Sequence, residues 1–180
     1  MANQKNDRLA PPLMHAFRIA HLERDAKLRV DIREKGERVI ASRRVTTRAP
    51  ISESDLRKLV NSDLVALMNT TCLDAAEDLT EVPNVRGSIL NYGFPDLSWR
   101  TIDENSVSEI GREIELTLGN FEPQLARGSI KVKRDDTVKS EELRLRFLVK
   151  AELRAQPVNV QMDFIAEVEL DSGKIKIDRI

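Results

Sequence analysis

Carboxylates are the commonest side chains in this sequence that could do chemistry, and Glu122 has the most suggestive surroundings. It lies between Phe121 and Pro123, whose apolar side chains favour partial burial of the carboxyl group. A glycosidase needs two carboxyl groups roughly 5–10 Å apart across a cleft, one of them with a raised pKa. No second acid stands in a comparable setting. We therefore expect Glu122 to be a helix-end or loop carboxylate that accepts hydrogen bonds from backbone N–H groups or from an arginine.

Nucleophilic and metal-dependent chemistry have little support in the sequence. The two histidines, His15 and His21, both lie near the N-terminus, and the single cysteine, Cys72, follows the end of a predicted helix, where the helix dipole disfavours a thiolate. The sequence contains no Gly-x-Ser-x-Gly, Cys-x-x-Cys, His-Glu-x-x-His, EF-hand or P-loop pattern. Cys72 is therefore expected to be a small packing residue. The sequence predicts no cofactor, no metal site and no enzymatic activity.

Charge is distributed unevenly along the 180 residues. The net charge is -1, but Lys and Arg exceed Asp and Glu by 6 in residues 1–50 and fall short of them by 7 in residues 51–180. The basic segment is either a solvated helix or the binding surface of a nucleic-acid adaptor. Phe17 is the one aromatic residue there that could stack on a base, so no nucleic-acid partner is expected. The apolar runs are far shorter than the roughly 20 residues that span a bilayer, which predicts a cytoplasmic protein without direct membrane insertion.

The helices and strands of the fold determine where the acidic residues lie. The most clearly predicted of these helices and strands is an amphipathic helix after residue 51. Ser52 can cap this helix together with Asp55, and an apolar stripe then runs at helical spacing over residues 56–68. The periodicity of residues 13–35 is less regular. Helix is favoured there, with Gly36 as a stop, although the apolar residues at 28, 30 and 32 alternate as they do in a strand.

A second amphipathic helix is predicted with Asn105 or Ser106 as its cap. It ends before Pro123, because the residue that precedes a proline is pushed out of helical geometry. Pro83 is expected to break the acidic segment between the two helices. Three acids that precede the second helix are expected to be turn or cap residues: Asp96, Asp103 and Glu104.

The C-terminal third of the chain alternates between apolar and polar residues, as strands with one buried face do. The alternation covers residues 130–133, 143–154, 160–170 and 175–177, and Asp171-Ser172-Gly173 predicts a hairpin turn. Helices followed by strands predict an α+β fold, with the N-terminal helices packed on one face of a small C-terminal antiparallel sheet. The last predicted strand is expected to be uncovered. At a sheet edge, its backbone groups would accept a strand from another chain.

Three segments resemble a known family. The run from Arg86 to Leu97, Arg-Gly-Ser-Ile-Leu-Asn-Tyr-Gly-Phe-Pro-Asp-Leu, closely resembles the "SVLNYGLPDL" signature of TssE, the baseplate subunit of bacterial type VI secretion systems. Residues 121–125 are similar to that family's "EPR" motif, and residues 67–71 to its "LLNTR" helix end. Gln124 stands where the family has arginine. A neutral amide thus replaces a guanidinium that pairs bidentately with carboxylates.

The resemblance implies a structural protein, similar to the sheath-initiating wedge protein of contractile phage baseplates. In that family the subunit joins the TssF–TssG wedge, beside TssK, and exchanges β-strands with the first ring of TssB and TssC sheath subunits. The implied location is a cytoplasmic baseplate docked at the inner membrane complex. Residues 51–180 would form the wedge domain, and residues 1–50 a basic, partly helical extension.

The resemblance also implies two sets of contacting residues. The wedge would be contacted by Asn91, Tyr92, Phe94, Pro95, Asp96, Leu97, Glu122, Pro123 and Gln124. The sheath would be contacted by Lys174, Ile175, Lys176 and Ile177. An apolar loop such as 86–97 can equally pack on its own core. The family has also been called lysozyme-like, and a peptidoglycan hydrolase is the alternative function; it predicts that Glu122→Gln abolishes activity.

Overall fold

The structure is a computed structural model, and it describes residues 9–10, 12–22, 33–34, 37–38, 51–98, 100, 103–137, 144–156 and 158–180. Helices come first and an antiparallel sheet follows, so the predicted α+β class is confirmed. The chain forms two compact units, residues 1–59 with 155–158 and residues 60–154 with 159–180. The predicted division after residue 50 stays a prediction. In the described part of the chain, no helix has the length and apolar character that a membrane crossing needs.

The N-terminal segment contains a short helix and a small hairpin. Helix α1 is Leu13–Leu22, and strand β1, Arg33–Glu34, pairs antiparallel with strand β2, Glu37–Arg38. The prediction of helix up to residue 35 is therefore wrong at β1. Antiparallel pairing of Arg33 with Arg38 and of Glu34 with Glu37 excludes a helix at these residues. Residues 23–32 of the predicted helix lie outside the described residues.

Helix α2, Glu53–Met68, has the predicted cap and stripe. The Ser52 hydroxyl oxygen accepts a hydrogen bond from the Asp55 backbone N–H (3.1 Å) and its O–H donates to the Asp55 carboxylate (2.7 Å), which satisfies a free N–H of the first turn. The apolar stripe is almost fully buried, at Leu56, Val60, Leu64, Leu67 and Met68.

Short helical turns fill the segment between the two long helices. Residues Leu73–Ala75 and Ile89–Asn91 form 3₁₀ turns, and helix α3 is Pro83–Arg86. Pro83 is the first residue of α3, so a helix begins where the sequence predicts a break in the acidic segment. Proline suits that position, since its missing N–H would have no partner in the first turn of a helix.

Helix α4, Glu104–Phe121, ends where Pro123 predicts. Its cap is Asp103 rather than Asn105 or Ser106. The Asp103 carboxylate accepts hydrogen bonds from the Ser106 N–H (2.7 Å) and hydroxyl (2.6 Å). These hydroxyl and N–H hydrogen bonds lower the pKa of Asp103, because they stabilise its charged form. Asp103 is thus the turn or cap residue that the sequence predicts.

The sheet has four strands in the described residues, in the order β3-β4-β5-β6. They are Lys131–Arg134, Arg144–Leu153, Val160–Glu169 and Ile175–Arg179, all antiparallel to their neighbours. One face is buried as the alternation predicts, from Leu145 and Phe147 to Val168 and Ile175. Helix α4 lies on this face, where an added Cβ at Gly111 would be 3.4 Å from the Phe147 ring. Leu143 of the predicted pattern lies outside the described residues.

Candidate interaction surface

The three motif segments of the sequence meet at one place, which we call the motif corner (residues 67–72, 86–97 and 121–124). The Phe94 N–H donates to the Thr70 carbonyl (2.7 Å) and the Cys72 N–H donates to the Phe94 carbonyl (3.1 Å). Gly93 makes this approach feasible. Its φ is +133°, and a Cβ there would lie 2.3 Å from the Thr70 oxygen. Backbone contact between the helix end and the loop therefore requires glycine at position 93.

Asn91 holds the loop to the segment before it. Its side-chain oxygen accepts from the Asp74 N–H (2.8 Å), and its side-chain nitrogen donates to the Arg86 carbonyl (3.0 Å). Asn91 is 7% exposed, and Phe94 and Leu97 are also buried. These three side chains therefore pack the loop on its own core.

An aromatic contact joins the loop to the end of α4. The Tyr92 and Phe121 rings meet edge to face, with their centroids 5.8 Å apart. Directly after Phe121, Glu122 is buried, and one of its carboxylate oxygens accepts from the Gln124 N–H (3.1 Å). Glu122 is therefore a helix-end carboxylate that accepts a backbone hydrogen bond, as the sequence predicts. Pro123 beside it is exposed.

Gln124 links the motif corner to α2 and to the sheet. Its side-chain nitrogen donates to the Asp63 carboxylate (3.2 Å), and its carbonyl accepts from the Arg154 N–H (2.7 Å). The side-chain oxygen of Gln124 is buried without a hydrogen-bond partner among the described residues. A carboxylate thus faces the position where the TssE family has arginine.

Two apolar residues of the signature are exposed, and sequence reasoning did not select either of them. Ile89 is 73% and Leu90 is 69% exposed, because the 3₁₀ turn that Ser88 caps holds them outside the core. No signal in the sequence distinguishes them from the apolar residues of the same loop that pack inward, Phe94 and Leu97. Ile89 and Leu90 are the accessible apolar part of the motif corner.

A cleft of about 360 Å³ lies between the loop and α4, and its acids are already engaged. Arg100 binds Glu113 bidentately (2.9 and 2.8 Å), and Arg86 binds Asp74 (2.9 Å). In the described ranges, no group of three His, Cys, Asp or Glu side chains is placed to hold a metal ion. The cleft is therefore bordered by ion pairs rather than by unpaired acids.

Asp96, the third acid of the cleft, is a turn residue. Its carboxylate accepts from the Ser98 N–H (2.9 Å), and hydrogen bonds from the Ser98 backbone and side chain lower the pKa of Asp96. A glycosidase acid needs the opposite shift, because it must be protonated before it can donate. Pro95 and Asp96 are half-buried.

Three of the predicted sheath-contacting residues, Ile175, Lys176 and Ile177, lie on β6, an edge strand of the sheet, and Lys174 directly precedes it. The Glu169 N–H donates to the Lys174 carbonyl (2.9 Å), so residues 174, 176 and 178 are the ones that exchange hydrogen bonds with β5. The backbone groups of Ile175 and Ile177 consequently point away from the sheet. Ile175 is buried, Ile177 is half-buried, and Lys174 and Lys176 are exposed, with Lys176 paired to Glu169.

Asn69 occupies part of this free edge. Its side-chain nitrogen donates to the Ile175 carbonyl (2.8 Å), and its side-chain oxygen accepts from the Ile175 N–H (3.1 Å). The amide thus makes the two hydrogen bonds that a neighbouring strand would make. Sequence reasoning missed this role, since Asn69 and Ile175 are 106 residues apart in the chain. Ile177 is the next outward-facing residue that an added strand would meet.

The family comparison covers the motif corner and half of the sheet. The sequence model of the family described as baseplate wedge protein gp25 matches residues 54–158, which is more than half of the chain. The chain belongs to the baseplate wedge protein gp25 family. TssE belongs to the same family, so the resemblance in the sequence is confirmed at this level. No significant match to the chain is found among curated proteins or among solved structures.

Membership of the gp25 family supports a structural role in a baseplate and contacts with other baseplate proteins. The matched residues include α2 from residue 54 onwards, the signature loop, α4, β3 and β4. Strands β5 and β6 follow the matched region. The gp25 family match therefore includes the whole motif corner but not the β6 edge.

Proposed function

We propose that this chain is a baseplate subunit of a type VI secretion system that joins the TssF–TssG wedge, beside TssK, and starts sheath polymerisation. In this proposal the β6 edge exchanges strands with the first ring of TssB and TssC subunits. The motif corner binds the wedge on the cytoplasmic side of the inner membrane complex. The observation that carries the proposal is the outward-facing backbone of β6 in a member of a baseplate wedge family.

The β6 edge suits strand addition because, among the described residues, Asn69 covers only one of its outward-facing residues. Asn69 engages Ile175, whereas the Ile177 N–H and carbonyl face outward. An added strand would therefore pair first with Ile177. Backbone hydrogen bonds of this kind carry affinity without a defined side-chain sequence, which suits the start of a polymer.

The wedge contact is proposed for the accessible part of the motif corner. Of the nine residues that the resemblance implies, Asn91, Phe94, Leu97 and Glu122 are buried and would support the surface from below. Ile89 and Leu90 would supply the apolar contact, because exposed apolar residues next to a rigid, self-packed loop are typical of protein-binding surfaces.

The experiment is a pull-down of tagged full-length protein from lysate of its native cells. Ile177→Pro removes an outward N–H without removing a ladder bond to β5, since residue 177 faces away from that strand. We expect this variant to retain TssF and TssG and to lose TssB and TssC. Ile177→Val, which keeps the N–H, is the matched control and should retain all four.

A second variant tests the wedge contact separately. Leu90→Asp should lose TssF and TssG, whereas Val158→Asp, at a residue that is 69% exposed, should lose nothing. Thermal unfolding of each variant shows that it is folded. Recovery of neither wedge nor sheath proteins by the folded wild-type chain would contradict the proposal. If Ile177→Pro retained the sheath subunits, this result would contradict strand exchange at β6 but not the wedge contact.

A further inference from the structure

The other edge of the sheet, strand β3, has free backbone groups of its own. The Asp135 N–H donates to the Arg146 carbonyl (2.8 Å) in the same register as the β3–β4 ladder. Residues 131, 133 and 135 are therefore the ones that bond to β4, and the N–H and carbonyl groups of Val132 and Arg134 point outward. Among the residues that the structure describes, no hydrogen-bond partner covers these groups.

The side chains along β3 concentrate positive charge on the solvent-facing side of the sheet. Lys131 and Lys133 are exposed there, and Lys131 stands directly opposite Lys150 in the β3–β4 register. Like charges in this position destabilise a sheet. In the described part of the chain neither Lys131 nor Lys133 has an ion pair, and the nearest acid to Lys150 is Asp163 at 3.9 Å.

The other cations on this face have partners. Glu167, which is buried, binds Arg144 (3.1 Å) and Arg146 (2.6 Å). The two arginines are therefore held by one carboxylate, whereas Lys131 and Lys133 form no ion pair with any acid among the described residues.

We propose that β3 binds an extended, acidic segment of another protein, which adds to the sheet as a strand. Its Asp or Glu side chains would recur at every second position, because residues i and i+2 of a strand share a face and Lys131 and Lys133 have that spacing. A groove of about 500 Å³ lies beside Lys131 and Lys150, and because Glu152 and Asp163 also border it, the acidic side chains would lie towards Lys131 and Lys133. The proposal goes beyond the baseplate role, since it concerns the edge opposite to β6 and no baseplate partner enters it.

Two other roles would also place lysines on β3: protection of the sheet edge and binding of a nucleic acid. An added acidic strand explains these lysines better than either role. Lysine on an edge strand can simply prevent association between edges, but that protection needs no second lysine opposite the first. A nucleic acid would need more unpaired cations and exposed aromatic rings. The solvent-facing side of β3 and β4 carries no aromatic residue in the described part of the chain.

The test is fluorescence anisotropy of the full-length chain with a labelled peptide of alternating Thr and Glu. Peptides of alternating Thr with Gln or Lys serve as ligand controls. We expect the Glu peptide to bind more tightly than either control, and salt to weaken it. Lys131→Glu/Lys133→Glu should weaken binding about tenfold or more. The matched variant Lys58→Glu/Arg112→Glu has the same change in net charge on helices α2 and α4 instead of the sheet, and it should bind as the wild type does.

Amide hydrogen exchange, measured by NMR, distinguishes strand addition from loose attraction. The bound peptide should protect the Val132 and Arg134 amides and leave Lys131 and Lys133, which already bond to β4, unchanged. The charge-reversal variant should melt no lower than the wild type, since glutamate at 131 would face Lys150. Equal binding of all three peptides, binding of duplex DNA in preference to the Glu peptide, or no new protection at Val132 would overturn the proposal.

Discussion

Gly93 is the residue on which the motif corner depends most directly. Gly93→Ala would place a Cβ 2.3 Å from the Thr70 oxygen at a φ of +133°, so the loop and the helix end would have to separate. We expect a loss of roughly 3 kcal/mol in the free energy of unfolding. Urea denaturation measures it. Gly119→Ala is the matched control, because nothing lies within 4 Å of its added Cβ, and it should not destabilise.

The TssE family has arginine where this chain has Gln124, and the effect of this difference on stability can be tested. Gln124→Arg would place a guanidinium beside the Asp63 carboxylate, which Gln124 already contacts at 3.2 Å, and would remove the buried oxygen that lacks a partner. We expect a gain of about 1 kcal/mol in the free energy of unfolding. A double-mutant cycle with Asp63→Asn should abolish most of this gain. An equal gain in the Asp63→Asn background would show that the new arginine acts elsewhere.

The sequence predicts single residues well when their surroundings are local. Glu122 could be assigned to a helix end because Phe121 and Pro123 flank it directly, and Cys72 is buried as its position suggests. The role of Asn69 could not be predicted, since its partner is the backbone of Ile175, which any residue provides. The residue type at position 175 therefore does not reveal that its backbone bonds to Asn69.

At the scale of elements, the end of α2 and the β6 edge are coupled through Asn69. Asn69→Ala would remove both hydrogen bonds to Ile175. We expect the Ile175 amide to exchange its hydrogen much faster, while the Ile177 amide keeps its rate, because Asn69 does not cover it. Two-dimensional NMR in deuterated water measures both rates. Asn69→Asp retains the acceptor and should protect Ile175 partly; equal rates in all three proteins would contradict the assigned role.

The elements themselves follow from the sequence where a period repeats over many residues. Strands β4 and β5 were predicted to within two residues at each end, since ten or more positions alternate. The cap of α4 lies two or three residues before the predicted one, because Asp103, Asn105 and Ser106 can all serve as caps. Strand β1 was missed since two residues of strand are too few to show a period.

At the scale of the whole molecule, the predicted domain boundary at residue 51 can be tested by truncation. Leu9 and Ile51 exchange both backbone hydrogen bonds (3.0 Å each), and Leu9 is buried. We expect residues 51–180 to unfold cooperatively, with a free energy of unfolding lower by about 3 kcal/mol. Calorimetry measures this. A chain that begins at residue 9 keeps the Leu9 contacts and should match the full length, whereas a broad, non-cooperative transition for 51–180 would contradict the boundary.

The distance along the chain between Asn69 and Ile175 has a consequence during translation. At about 5–20 residues per second, the ribosome completes Asn69 some 5–20 seconds before it adds Ile175, which lies 106 residues later. The Asn69 side chain, which covers the edge, is therefore synthesised before strand β6. When β6 emerges and pairs with β5, its first outward position can be occupied at once. A newly made chain in a crowded cell would therefore present less unpaired strand edge to its neighbours.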